Sequence, residues 1–253
     1  MTGSGNNTYL LASLGVAVLV DAGVGETRHL VDLDRALGDL GARLDYVAVT
    51  HGHRDHAAGA PAIAATHPSA VFAKYPWPAE DDQYDVTWQP IDEGDAVAVG
   101  DEELVALRTP GHSPDHLAFW HESAGALFTG DLLVAGSSVM IHASRGGRLA
   151  DYMASLERIL ALAPRVLYPA HGPRIDDPPA LVTSYLAHRR MRERQVIDAL
   201  RGGHADVMAI ADAIYRGIDA ALMPAARENV RAHLQKLQDA GVASEEEGRW
   251  QLS

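Results

Sequence analysis

The chain has 253 residues, 34 acidic and 21 basic side chains and a formal charge of −13, with 47% hydrophobic and 22% charged residues. That length holds one large domain, or an ordinary domain with a small appendage, and the composition is that of a folded chain, not a disordered one. The charge disfavours an unassisted nucleic-acid binder, and the absence of cysteine excludes disulfides, thiol nucleophiles and thiolate metal sites.

In chain order, residues 1–10 (MTGSGNNTYL) carry no basic patch ahead of an apolar run, so no secretory leader is read. Val16–Val20 is far too short to span a bilayer, and a cytoplasmic protein is expected. Thr8–Ser13 and Val16–Val20 read as strands joined through Gly15. Leu30, Leu33, Leu37 and Leu40 predict a helix over 27–40 that Gly41 stops. Leu44–Thr50 reads as a buried strand, Ala57–Thr66 as a helix and Ala70–Ala73 as a short strand. Residues 74–90 break the pattern with three prolines and four large aromatics, Tyr75, Trp77, Tyr84 and Trp88. They are either a solvated loop or a lid over a site. Strands return at Ala96–Val99, Leu104–Thr109, Leu117–His121 and Ala126–Thr129, followed by a helix at Leu149–Ala163 and a strand at Arg165–Tyr168. Two sheets with helices outside fit this irregular order better than a doubly wound sheet. Helices at 180–201, 206–215 and 223–240 and a hairpin over Val242–Leu252 give the outline of a winged-helix module.

Of the 13 histidines, three fall in Thr50-His51-Gly52-His53-Arg54-Asp55-His56, directly after a strand. Four possible metal ligands within six positions suit nitrogen and oxygen coordination. Three further segments each set one His or Asp beside a glycine just past a strand: TPGHS with His112, FTGD with Asp131 and YPAHG with His171. Glycine lets the backbone turn sharply there.

With Asp21 in VDAG, these segments resemble the metallo-β-lactamase superfamily over about residues 5–175. The resemblance implies an α+β fold, a four-layer αβ/βα sandwich with a dinuclear metal site at one sheet edge. It implies that His51, His53 and His112 hold the first ion, that Asp55, His56 and His171 hold the second, that Asp131 bridges both, and that Asp21 supports the ligands from behind. Zinc is expected, with iron and manganese as alternatives. An oxygen bridge at Asp131 is similar to glyoxalase II. DYMASLERILAL, YPAHGP, HRRMRERQV and MPAARENVRAHLQKLQDAG resemble the beta-lactamase-like-2 group, which adds a winged-helix-like tail. Its members include thioester hydrolases and a single-strand endoribonuclease.

The implied layout is a catalytic domain over 1–177, a connecting helix over 178–203 and a winged-helix-like domain over 204–253. The implied chemistry is a hydroxide between two divalent ions attacking a small ester or thioester, with Asp55 orienting it. The alternatives are a metal-dependent endoribonuclease and a winged-helix regulator that binds nucleic acid. Against both stand only two lysines, Lys74 and Lys236, and a tail (204–253) with five basic against eight acidic residues, a net of −3. The expected partner is a small anionic or carbonyl-bearing substrate, without nucleic acid or membrane; a homodimer is left open. His116 reads as a supporting residue. His142, Arg145 and Arg148, in the loop 136–148, are candidate contacts to a substrate anion.

Overall fold

The computed structural model describes residues 5–253; residues 1–4, the start of the stretch searched for a leader, lie outside them. The chain divides into two compact units. The first comprises residues up to Thr109, Asp115–Ser137 and Ala163–Pro178; the second comprises Pro110–Pro114, Ser138–Leu162 and Pro179–Ser253. Among the described residues no helix is long and apolar enough to cross a membrane.

The first unit begins with β1 (Tyr9–Ser13), β2 (Val16–Val20), α1 (Thr27–Leu40), β3 (Arg43–Ala48), α2 (Arg54–Ala57), α3 (Ala60–Thr66), β4 (Val71–Lys74), α4 (Pro78–Asp81) and β5 (Trp88–Pro90). It continues with β6 (Ala96–Val99), β7 (Glu102–Arg108), β8 (Leu117–His121), β9 (Ala126–Gly130) and β10 (Val166–Pro169). One sheet has the order β1-β2-β3-β4-β5, antiparallel only between β1 and β2. The other has the order β10-β9-β8-β7-β6, parallel only between β10 and β9.

The alternation along β2 explains the layering. Ala17 and Leu19 face Leu33 and Leu37 of α1 and Ala60 and Ile63 of α3. Val18 and Val20 face the other way, into a core with Val97, Val99, Leu104, Phe119 and Phe128 of the second sheet. A strand buried on both faces reads as a continuous apolar run, which VAVLV is. Each such side chain contributes about 1.5–3 kcal/mol of transfer free energy. α1 stops as expected, because Gly41 takes the left-handed conformation at φ 59°.

Two expectations are refined. The helix read over 57–66 is two helices, interrupted at Ala58–Gly59. A β-carbon on Gly59 would lie 2.0 Å from the Ala22 carbonyl oxygen, so this turn packs directly on the loop after β2. Residues 74–90 are not an unstructured loop: they carry α4 and β5, and Tyr84, Val86 and Trp88 pack against the helix-side core.

The second unit holds α5 (Leu149–Leu162), α6 (Pro178–Arg201), α7 (Val207–Ile214), α8 (Met223–Asp239) and the hairpin β11 (Ala243–Glu246) with β12 (Arg249–Leu252). Val196 and Leu200 of α6, Ile210 of α7, Val230 and Leu234 of α8 and Ala243 of β11 form one core. Trp250 and Leu252 of the hairpin pack against it.

Candidate metal centre

Parallel neighbours end together, and the ligands follow those ends. Val20 pairs with Ala48 across β2 and β3, so Asp21 and Thr50 follow at the same sheet edge. Gly130 pairs with Pro169 across β9 and β10, so Asp131 and His171 do likewise. Asp21 takes φ 64°, a left-handed conformation that Asp tolerates better than most residues. A β-carbon on Gly130, at φ 48°, would lie 2.8 Å from His116 Nε2, so only glycine fits there.

Asp21 and Thr50 form the back wall. The Asp21 carboxylate accepts from the Thr50 amide at 2.8 Å and from its hydroxyl at 2.9 Å, and takes His56 Nδ1 at 2.8 Å. Thr50 Oγ1 donates to Asp21 and stands 3.1 Å from His51 Nδ1. The donor on that second contact is therefore the imidazole, which leaves His51 Nε2 a lone pair. His51 Nε2 lies 2.8 Å from His53 Nδ1. One carboxylate thus orients two imidazoles, as a residue behind metal ligands does.

Asp55, His56, Asp131 and His171 converge in front of that wall. His171 Nε2 is 3.3 Å from Asp55 Oδ2 and 3.2 Å from Asp131 Oδ1. His56 Nε2 is 3.5 Å from Asp131 Oδ1 and 3.8 Å from Asp55 Oδ2. Two sets, His51–His56–Asp131 and Asp55–His56–His171, each have donor atoms within 4.8 Å of one another. His56 Nε2 is buried and makes no hydrogen bond. An imidazole lone pair turned toward two carboxylates is a donor set that fits a divalent cation.

The electrostatics agree. Hydrogen bonds donated to the carboxylates of Asp131 and Asp55 push the pKa of His171 up to about 10. Burial lowers the pKa of His56, but Asp21 and Asp131 outweigh it and hold it well above the ordinary histidine range. Burial raises Asp55, while His171 and His56 bring it below the usual carboxylate range. A field that favours protons on these imidazoles could equally hold a metal cation.

The remaining positions have defined places. His116 is buried; the Asp131 amide donates to its Nε2 at 3.1 Å, so its Nδ1 donates to Thr109 Oγ1 at 2.8 Å. It props the Asp131 backbone. In the second unit, His112 Nδ1 lies 2.9 Å from the Met140 carbonyl oxygen. His142 is half-buried, and burial together with Arg145 lowers its pKa. Arg145 is exposed. Arg148 pairs with Asp239 at 2.7 Å and Asp151 at 3.4 Å, which makes its guanidinium a strut between helices.

Five supporting residues escaped the sequence reading. Lys74 is fully buried, 3.0 Å from the equally buried Asp115, and Asp115 accepts from the Gly52 amide at 2.7 Å. Tyr84 donates to the Gly52 carbonyl at 2.9 Å, so both backbone groups between His51 and His53 are clamped. Asn6 donates to the Asp55 carbonyl, and Asn7 donates to the carbonyls of Pro169 and Gly172, on either side of His171. A lysine at a strand end, in a chain with two lysines, was the available signal for the first of these.

Two mixed sheets with a His/Asp cluster at their strand ends define an α+β fold whose clustered donors could hold a metal ion. The family model described as the metallo-beta-lactamase superfamily matches residues 1–171, and that of a beta-lactamase associated winged helix domain matches residues 207–250. The chain belongs to the metallo-beta-lactamase superfamily, a superfamily of hydrolases. The beta-lactamase-like protein 2 homolog of Caenorhabditis elegans is 32% identical over 246 residues, covering 94% of this chain and 80% of that protein. The lactamase-like protein adaB of Aspergillus niger is 36% identical over 209 residues, covering 81% of this chain; this chain spans only 62% of that relative. Among solved structures, a beta-lactamase domain protein from Burkholderia ambifaria matches with a TM-score of 0.81 at 23% identity, over 98% of this chain and 87% of that one, a likeness of fold alone. TTHA1623, solved in a di-iron-bound form, matches with a TM-score of 0.59 at 28% identity, over 71% of this chain and 93% of that one.

Proposed function

We propose that the protein is a dinuclear metal-dependent hydrolase of a small ester or thioester. The observation that carries this is the buried, hydrogen-bond-free Nε2 of His56 facing Asp131 and Asp55, with His171 closing the group. On this assignment Asp55, His56 and His171 would hold one ion, His51, His53 and His112 the other, and Asp131 would be shared. Zinc suits these ligands, and the di-iron-bound relative keeps iron as the alternative. Bound divalent ions supply an activated water at neutral pH and polarise the scissile carbonyl. Asp21 and Thr50 hold the imidazoles in the ligating tautomer, and Asp55 orients the nucleophile.

A thioester suits this site because a thiolate leaves readily, its conjugate acid having a pKa of about 8.5, so no side-chain acid is needed. The net −3 of residues 204–253 weighs against a single-stranded RNA substrate, which needs a cationic track. The deciding experiment is a panel of thioesters, lactones, β-lactams, phosphodiesters and single-stranded RNA, assayed with and without added zinc, iron or manganese. Metal-dependent turnover highest on thioesters or esters is expected. Preference for RNA would make the protein an endoribonuclease instead. Fewer than about one ion per chain after mild purification would overturn the dinuclear assignment.

A further inference from the structure

The second unit contains a chain of contacts that ends on His112. The Met140 carbonyl can only accept, so the contact at 2.9 Å puts the His112 proton on Nδ1 and leaves Nε2 a lone pair. The neighbouring carbonyl, that of Val139, accepts from the guanidinium of Arg189 on α6. Arg189 is 1% exposed, although it lies in the basic run His188–Arg194. Its guanidinium also sits 5.3 Å from the ring centre of Tyr152, itself fully buried. Tyr152 backs the turn that carries His112: a β-carbon on Gly111, at φ 132°, would lie 2.3 Å from Tyr152 Cα. The turn is pinned at two carbonyls, by the Arg148 amide on Gly111 and by Ser155 Oγ on Pro110, both at 2.8 Å.

We propose that Arg189 is a positioning residue for His112, acting through the Val139–Met140 backbone and Tyr152. Burying a guanidinium costs several kcal/mol, and an apolar side chain of similar size would fill the space more cheaply. What an apolar side chain cannot do is fix the Val139 carbonyl, and with it the carbonyl that sets the imidazole's tautomer and aim. α6 thereby fixes the aim of the His112 imidazole within the second unit. This rests on the assignment of His112 as a ligand.

The test compares Arg189→Met, Arg189→Lys, His112→Ala and, as a control, Arg190→Gln, whose exposed arginine pairs with Glu157 at 2.8 Å. Zinc stoichiometry and affinity are measured by chelator competition, beside thermal melts. His112→Ala should lose one of two ions. Arg189→Met should weaken that same ion about 10–100-fold and spare the other, with Arg189→Lys restoring part of the loss. Arg190→Gln should bind as wild type. Wild-type affinity in Arg189→Met, alongside a lost ion in His112→Ala, overturns the positioning role and leaves the metal assignment standing. Two tight ions in His112→Ala overturn the ligand assignment itself. In wild-type apoprotein labelled with nitrogen-15 at histidine, His112 should show the Nδ1–H tautomer; the Nε2–H tautomer would overturn the proposal without any variant.

Discussion

Asp55 sits on the first turn of α2, where its carboxylate can face two imidazoles while its side chain stays 25% exposed. His171 and His56 hold its carboxyl below the usual carboxylate range despite its burial, which favours the ionised, accepting form. Asp55→Ala removes that charge without opening the core, since the side chain borders solvent. Turnover on the best substrate of the panel should fall by at least about 100-fold, while the circular dichroism spectrum stays that of the wild type. Retained turnover would refute the role given to Asp55. Asp21 is costlier to replace, because its carboxylate satisfies an amide, a hydroxyl and an imidazole at once, all buried.

At the scale of elements, α6 and α8 are joined by a short ionic contact. Glu193 takes His233 Nδ1 at 3.9 Å and Lys236 Nζ at 2.6 Å, and these two hold it down to about 2. A depressed carboxylate stabilises above its ordinary pKa of 4.5, and that contribution is lost as pH falls from 4.5 toward 2. Glu193→Gln should therefore cost about 1–2 kcal/mol at pH 7, allowing for solvent screening, and almost nothing near pH 2. Urea unfolding of both proteins at several pH values checks this; a gap independent of pH would show that packing, not charge, is lost. The elements legible in the sequence are those whose pattern is local. β2 is an apolar run, α1 has leucines at helical spacing and a glycine stop, and the terminal hairpin turns at Glu247–Gly248. The break at Gly59 was hidden because its cause is the Ala22 carbonyl, 37 positions away in sequence. The burial of Lys74 and Arg189 was not legible because burial of a cation is decided by distant partners, Asp115 for one and a backbone carbonyl for the other. The His/Asp cluster was legible because these residue types are grouped at strand ends, where local sequence and site coincide.

Over the whole molecule, the charge of −13 is not spread only over the surface. Asp21 and Asp115 are buried, and Asp55 and Asp131 have only 25% and 17% of their side chains exposed. Lys74 answers Asp115, and imidazole protons or metal cations must answer the others. Cations that bind the folded chain and not the unfolded one add RT ln(1 + [L]/Kd), about 4 kcal/mol when free metal is 1,000 times Kd. For a chain of roughly this size each kcal/mol moves the melting midpoint by about 2–4 °C, so chelation should lower it on the order of 10 °C. Returning zinc should restore the midpoint in a concentration-dependent way, since linkage makes Tm follow the free metal. Scanning calorimetry with parallel metal analysis checks both halves. A chain that has lost its ions yet melts where it did before would mean that the carboxylates are balanced by protons alone and that the cluster holds no structural cation.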